Sequence, residues 1–257
     1  MLREKKYKCG DFLEVEIFKA NNHCKKYKRR KKVQESTPAQ RNLNSKKSKR
    51  HFIRLVHLNF TNKDLYVDLT YGQKNLPSNR EEVIRDVKNY IARLKRARNK
   101  LGIKESLKYI YVISNLDTDG NKVRYHVHMI ISSMDRDVAE QTWKKGYANT
   151  DRLQYNEYGV EGKSLYMARQ AAGERAWGSS INLKKVTAEI KDDRRELTNK
   201  KLEDMDRCPE DRFLFEKLYP GWTFTQCIIE RENEKGEGSR RFLLKFRKDE
   251  RISKKKK

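Results

Sequence analysis

Two β-prone runs, Tyr109-Ile110-Tyr111-Val112-Ile113-Ser114 and Tyr125-His126-Val127-His128-Met129-Ile130-Ile131, flank the turn sequence Asp117-Thr118-Asp119-Gly120. Strands joined by so short a connection pair antiparallel, so a hairpin inside a sheet is the fixed point of the fold. Side chains two apart on a strand share a face, which puts His126 and His128 together at a spacing that suits one divalent cation. Val127, Met129, Ile130 and Ile131 mark the second strand as largely buried, and buried imidazoles need polar partners. A cation supplies one; a pair of satisfied core histidines is the alternative that spacing alone leaves open.

Around this hairpin the chain reads as interspersed strands and helices. Phe12 to Phe18 alternates apolar and acidic residues, the pattern of a half-exposed strand. Thr37-Pro38-Ala39-Gln40 combines a capping hydroxyl, proline at the first helical position and a capping-box glutamine, predicting a helix to about Asn59. On it Lys46, Arg50 and Arg54 recur every fourth residue as one positive ridge, while Leu55 and Val56 turn inward. Leu65 to Tyr71 is a strand with Asp68 and Thr70 on one face and Val67, Leu69 and Tyr71 on the other. Ser78-Asn79-Arg80-Glu81 opens a long helix whose core face is Val83, Val87, Tyr90, Ile91, Leu94 and Leu101. A short helix is expected from Asp135 to near Gly146, and another from Glu161 to Ala172, stopped by Gly173. Its inward stripe is Leu165, Ala168 and Ala172, with Tyr166 and Arg169 adjacent on the flank. Leu183 to Glu203 reads as one charged amphipathic helix with a seam of Val186, Ile190 and Leu197. Phe224 to Glu230 and Arg240 to Phe246 read as two more strands. The fold class is α+β, a central antiparallel sheet carrying the His-x-His strand with helices packed on it.

Formal net charge is +25 over 257 residues, enough self-repulsion to make a polyanion, and first of all nucleic acid, the expected partner. The basic run Lys25 to Lys32 is either a solvated loop or a phosphate-contacting arm, and Lys254 to Lys257 form a basic tail. No long apolar run or signal peptide appears, so a soluble, cytoplasmic protein without a membrane partner is expected. The four cysteines, Cys9, Cys24, Cys208 and Cys227, are scattered without a Cys-x-x-Cys pair and read as ordinary small buried residues. No Walker A motif is present, so any unwinding falls to a separate protein.

Tyr166 alone is a packing aromatic. Beside a phosphate-polarising cation and on a basic surface, its hydroxyl can attack phosphorus and form a phosphotyrosine ester that keeps the bond energy for religation. The succession Asn59-Phe60, Leu69-Thr70-Tyr71, Tyr109 to Ile113, His126-Val127-His128, Leu165-Tyr166-Met167-Ala168-Arg169-Gln170 and Ser179-Ser180-Ile181-Asn182-Leu183 resembles the rolling-circle replication initiators of phages, plasmids and mobile elements. These are single-tyrosine members of the His-hydrophobic-His (HUH) endonucleases.

The resemblance implies a nuclease domain over 42–183, a basic N-terminal strand and arm over 1–41, and a charged helix, hairpin and tail over 184–257 packed on the same domain. It implies nicking of single-stranded DNA at an origin by Tyr166, with Mg²⁺ or Mn²⁺ on His126 and His128. The product is a 5′-phosphotyrosine and a free 3′-hydroxyl, used by a host helicase and polymerase. Two positions depart from the family pattern. Ser114 and Asn115 stand where a metal-binding glutamate is usual, so Asp68, or else Asn115, is expected to complete the site. Arg169 replaces the usual lysine and is expected to clamp phosphate, alongside Lys46, Arg50 and Arg54. A degenerate initiator that binds without cutting, and a related transposase or relaxase, are the rival readings.

Overall fold

The elements follow one another as β1 (Leu2–Cys9), β2 (Phe12–Lys19), α1 (Pro38–Asn59), β3 (Leu65–Thr70), α2 (Arg80–Lys100), β4 (Tyr109–Leu116), β5 (Lys122–Ile131), α3 (Arg136–Gln141), β6 (Ala148–Arg152), α4 (Glu161–Gln170), β7 (Trp177–Ser179), β8 (Glu189–Asp192), α5 (Asn199–Arg207), α6 (Arg212–Leu218), β9 (Trp222–Arg231) and β10 (Arg240–Lys248). They come from a computed structural model that describes residues 1–20, 37–117, 119–156, 158–171, 177–231 and 240–248. The class is α+β, built on two antiparallel five-stranded sheets. The chain divides into two compact units, one spanning Ser48–Lys185 and one assembled from both chain ends, Met1–Lys47 with Val186–Lys257.

In the unit Ser48–Lys185 the strand order is β6-β3-β5-β4-β7, which makes the histidine strand β5 the central one. On one sheet face Leu65, Val67, Leu69, Ile113, Val127, Met129 and Ile131 pack with Val83, Val87, Tyr90 and Leu94 of α2. Each such side chain, when fully buried, stabilises the fold by roughly 1.5–3 kcal/mol. Period 2 on the strands and period 3.6 on α2 thus meet in one core. The other face is polar along one edge: Thr70 pairs with His126 and Asp68 with His128, while Ser114 and Val112 lie opposite the same two histidines from β4. Helix α4 packs on β4. The cap of α2 sits one residue beyond the expected start: Asn79 accepts from the Glu82 N–H and Glu82 accepts from the Ser78 N–H, both at 2.9 Å.

In the other unit the order is β8-β1-β2-β10-β9, so the first and last strands of the chain share a sheet. Leu13, Val15 and Ile17 of β2 and Phe242, Leu244 and Phe246 of β10 form its core with Leu202 and Met205 of α5 and Phe215 and Leu218 of α6.

Several expectations change. The single helix over 183–203 is instead strand β8, a turn and α5, because β8 pairs with β1 along Arg3↔Asp192 and Lys5↔Ile190. Arg3 grips Asp192 through two hydrogen bonds of 2.7 and 2.9 Å, and the Leu2 N–H donates to Asp193 at 2.7 Å. Charges that read as a solvated helix face are those of an edge strand, where charge blocks further pairing. Ile190, expected in an apolar seam, is 53% exposed. Helix α3 ends at Gln141, short of Gly146, as Trp143 turns in against Tyr71 and Tyr90 and donates to the Thr70 carbonyl at 2.9 Å. Gly146 serves a close approach rather than a helix stop: a Cβ there would lie 2.3 Å from the Thr70 oxygen. Strands β1, β6 and β7 carry no clear alternation and escaped the sequence reading. Cys9 is buried and Cys227 half-buried, but Cys208 is exposed. Cys24, Lys25 to Lys32, Ala172, Gly173 and Lys254 to Lys257 fall outside the described residues. Among the described residues no helix is long and apolar enough to cross a membrane.

Candidate active site

The site is built where β3, β5 and β4 lie side by side under α4. Both imidazoles are pinned by acceptors. The His128 Nδ1–H donates to Asp68 Oδ1 at 2.5 Å, and that of His126 to the Arg124 carbonyl at 3.0 Å. Carbonyl and carboxylate oxygens only accept, so each ring carries a proton on Nδ1, and Nε2 is the nitrogen left for another partner. This is the arrangement that metal-ligating histidines adopt, with a carboxylate or carbonyl behind the ring. The ring centroids of His126 and His128 are 4.9 Å apart. His128 is 5% exposed, and its Nε2 is buried without a hydrogen-bond partner. An orphaned buried acceptor of this kind costs about 1–3 kcal/mol unless something fills it.

Asp68 is thereby occupied as the support of His128. The Tyr66 hydroxyl, 2.8 Å from His128 Nδ1, also hydrogen-bonds the Asp68 carboxylate. Burial alone would raise the Asp68 pKa, but hydrogen bonds from His128 and Tyr66, with the charge of Lys163, hold it below the usual carboxylate range. Burial lowers His126 below the ordinary imidazole value, so it is neutral near pH 7 and free to donate its lone pair. Among the described residues no three His, Cys, Asp or Glu side chains are grouped to hold a metal ion. A third protein ligand, were a cation held here, would come from another residue type.

Ser114 and Gln170 occupy that corner. Ser114 is paired with His126 across β4 and β5, and its Oγ donates to Gln170 Oε1 at 2.7 Å in a buried contact. Asn115 falls in the β-bulge that follows Ser114, out of register with the histidine strand. Gln170 lies one helical turn beyond Tyr166 and hydrogen-bonds its hydroxyl. The Tyr166 ring stands edge-on to His128 with centroids 5.1 Å apart. Burial and the nearby Asp68 raise its pKa above the normal phenol value, so the hydroxyl keeps its proton at neutral pH.

The remaining expected residues are not brought into this cluster. Helix α4 buries Ser164, Met167 and Ala168 rather than a Leu165 stripe, and Arg169 is exposed on the opposite flank. On α1, Lys46 is exposed and Arg50 half-buried, whereas Arg54 is 7% exposed among Phe52, Leu55 and Val56. Each four-residue step overshoots a full turn by about 40°, so two steps carry the ridge from solvent to the buried face. The sequence assigns no role to Tyr66, Ser114, Lys163 or Gln170. The signal for Gln170 and Lys163 was their place at i+4 and i−3 from Tyr166.

No family model matches the chain, and neither does any curated protein or solved structure.

Proposed function

We propose that this protein is a metal-dependent, tyrosine-nucleophile endonuclease and strand transferase of the HUH type, initiating rolling-circle replication on single-stranded DNA. The observation that carries the reading is the pair of same-face histidines, both held as Nδ1–H tautomers, with a helical tyrosine against one of them. The residues suit a divalent cation: two imidazoles, one with a buried orphan nitrogen, and the amide oxygen of Gln170 in place of a carboxylate. The ion is Mg²⁺ or Mn²⁺, of which the harder Mg²⁺ is the poorer match for imidazole donors. His126, His128 and Gln170 would hold the ion, which when bound supplies Lewis-acid polarisation of the scissile phosphate.

Asp68 and Tyr66 orient His128, and Ser114 orients Gln170. Tyr166 bonds to phosphorus as the bond to the 3′ oxygen breaks; its phenolic proton passes to water, and the leaving oxygen takes a proton from water. A 5′-phosphotyrosine and a 3′-hydroxyl result, the latter a primer for a host polymerase working with a host helicase. The +25 charge supports binding through phosphates.

The test is incubation of the protein with a pool of single-stranded oligonucleotides and Mn²⁺, scoring denaturant-resistant protein–DNA adducts. Wild type forms them and Tyr166→Phe does not. An adduct that survives Tyr166→Phe and disappears with Tyr155→Phe or Tyr158→Phe moves the nucleophile to the preceding loop. The missing carboxylate ligand favours a second reading, a nucleic-acid-binding module that no longer cuts; such a protein binds DNA indifferently to Mn²⁺ and forms no adduct.

A further inference from the structure

On α4, Lys163 and Gln170 stand about 60° and 40° to one side of Tyr166, and Arg169 about 60° to the other. The buried residues Met167 and Ser164 lie on the Lys163 side, so that side faces the sheet and the Arg169 side faces solvent. Lys163 Nζ rests 4.2 Å from the centroid of the Tyr66 ring, the same tyrosine whose hydroxyl contacts His128. It makes no ion pair among the described residues, yet its charge is felt at Asp68. An exposed lysine ordinarily samples many rotamers; this one is held at the rim of the histidine cluster by a cation–π contact, its three N–H donors still open to solvent.

We propose that Lys163 forms the phosphate-binding corner of this site, holding a non-bridging oxygen of the scissile phosphodiester while Tyr166 attacks, and that Arg169 has no part in it. The inference rests on the nickase reading and replaces the cation that the sequence pattern assigned. A DNA strand then enters on the Tyr66 side of Tyr166. Lys163 gives up no proton in this role. Its ammonium neutralises charge that grows on the phosphoryl oxygens in the transition state, so its removal lowers the rate more than the affinity.

The experiment compares wild type, Lys163→Ala, Lys163→Arg and Arg169→Ala in the Mn²⁺ adduct assay on the oligonucleotide pool, with affinity for oligo(dT) followed by fluorescence anisotropy. The expected result is a fall in adduct rate of about a hundredfold for Lys163→Ala with affinity changed less than threefold. Lys163→Arg recovers to within tenfold of wild type, and Arg169→Ala matches wild type. Adduct formation by wild type with equal rates for Lys163→Ala overturns the phosphate corner alone. So does a larger loss for Arg169→Ala than for Lys163→Ala. No adduct from wild type overturns the nickase reading, and the phosphate corner with it.

Discussion

Each unit of the molecule groups a carboxylate, a tyrosine and a cation on a sheet, buried in one unit and half-open in the other, and the two clusters close differently. In the unit made from the chain ends, Glu4 Oε1 accepts from Tyr219 at 2.6 Å and Arg194 at 2.9 Å, and Lys6 stands 3.4 Å from Oε2. Arg194 and Lys6 also lie over the Tyr219 ring. Positive charge stands beside both oxygens, so the carboxylate is neutralised from within although Oε2 makes no hydrogen bond. In the unit Ser48–Lys185, Asp68 and Tyr66 both serve one nitrogen of His128, and the other nitrogen is buried with nothing on it. Internal closure marks a cluster as structural. A cluster that orders its own donors and leaves one open is prepared for something from outside.

The sharpest way to break this comparison is to remove the open half. His126→Ala or His128→Ala should abolish adduct formation, a loss of at least ~4 kcal/mol of transition-state stabilisation, while oligo(dT) binding barely moves. Equal adduct formation by wild type in excess chelator would show that the open nitrogen is not a metal ligand. The closed cluster should respond in the opposite currency of stability. Glu4→Ala takes from the largely buried Arg194 and Tyr219 their common acceptor, leaving Arg194 only the exposed Glu196, and should cost about 3 kcal/mol in denaturant unfolding, with Mn²⁺ affinity unchanged. A Glu4→Ala protein as stable as wild type would remove the distinction between the two clusters.

Asp68 tests the comparison at its hinge, because it is a carboxylate of the closed type that supports an imidazole of the open type. As a support behind His128, its loss in Asp68→Ala should weaken Mn²⁺ binding by about 10–100-fold, read by calorimetry on DNA-free protein. Loss as complete as that of the histidine variants would make it a direct ligand instead. Asn115→Ala, out of register in the bulge, should change Mn²⁺ affinity less than twofold.

What could be read in advance follows the same division. Alternation placed His126 and His128 on one face, and apolar spacing drew α2, because both are local consequences of a repeat. The neighbours of that face were not local. Ser114 reaches Gln170 across 56 positions of chain, and Tyr66 reaches His128 across 62. Distance from Tyr166 along the helix points to Arg169 but carries no information on which side of the helix meets the sheet. Arg54 was misplaced by a repeat of four on a helix whose turn is 3.6. The chain ends were read as appendages because β1 and β10 are each unremarkable alone, and only their common neighbour β2 joins them.

The smallest effect concerns how firmly the open site is held. α2 and α5 begin with side-chain caps, Asn79 to the Glu82 N–H and Thr198 to the Lys201 N–H, whereas α4 begins at Val160 with none. Gly162 then adds backbone freedom within the first turn, one turn before Tyr166. A Cβ at Gly162 would meet nothing within 4 Å, so Gly162→Ala adds no clash. It should stabilise α4 by about 0.5–1 kcal/mol through the entropy that glycine loses on entering a helix. Hydrogen exchange at the amides of Met167 to Gln170 should slow by a few fold, while amides of β1 and β2 exchange as in wild type. A uniform slowing across both sheets would mean that the substitution acts on global unfolding. No slowing at all would mean that packing of Met167 and Ala168 on the sheet, rather than the frayed first turn, sets how well Tyr166 is held against His128.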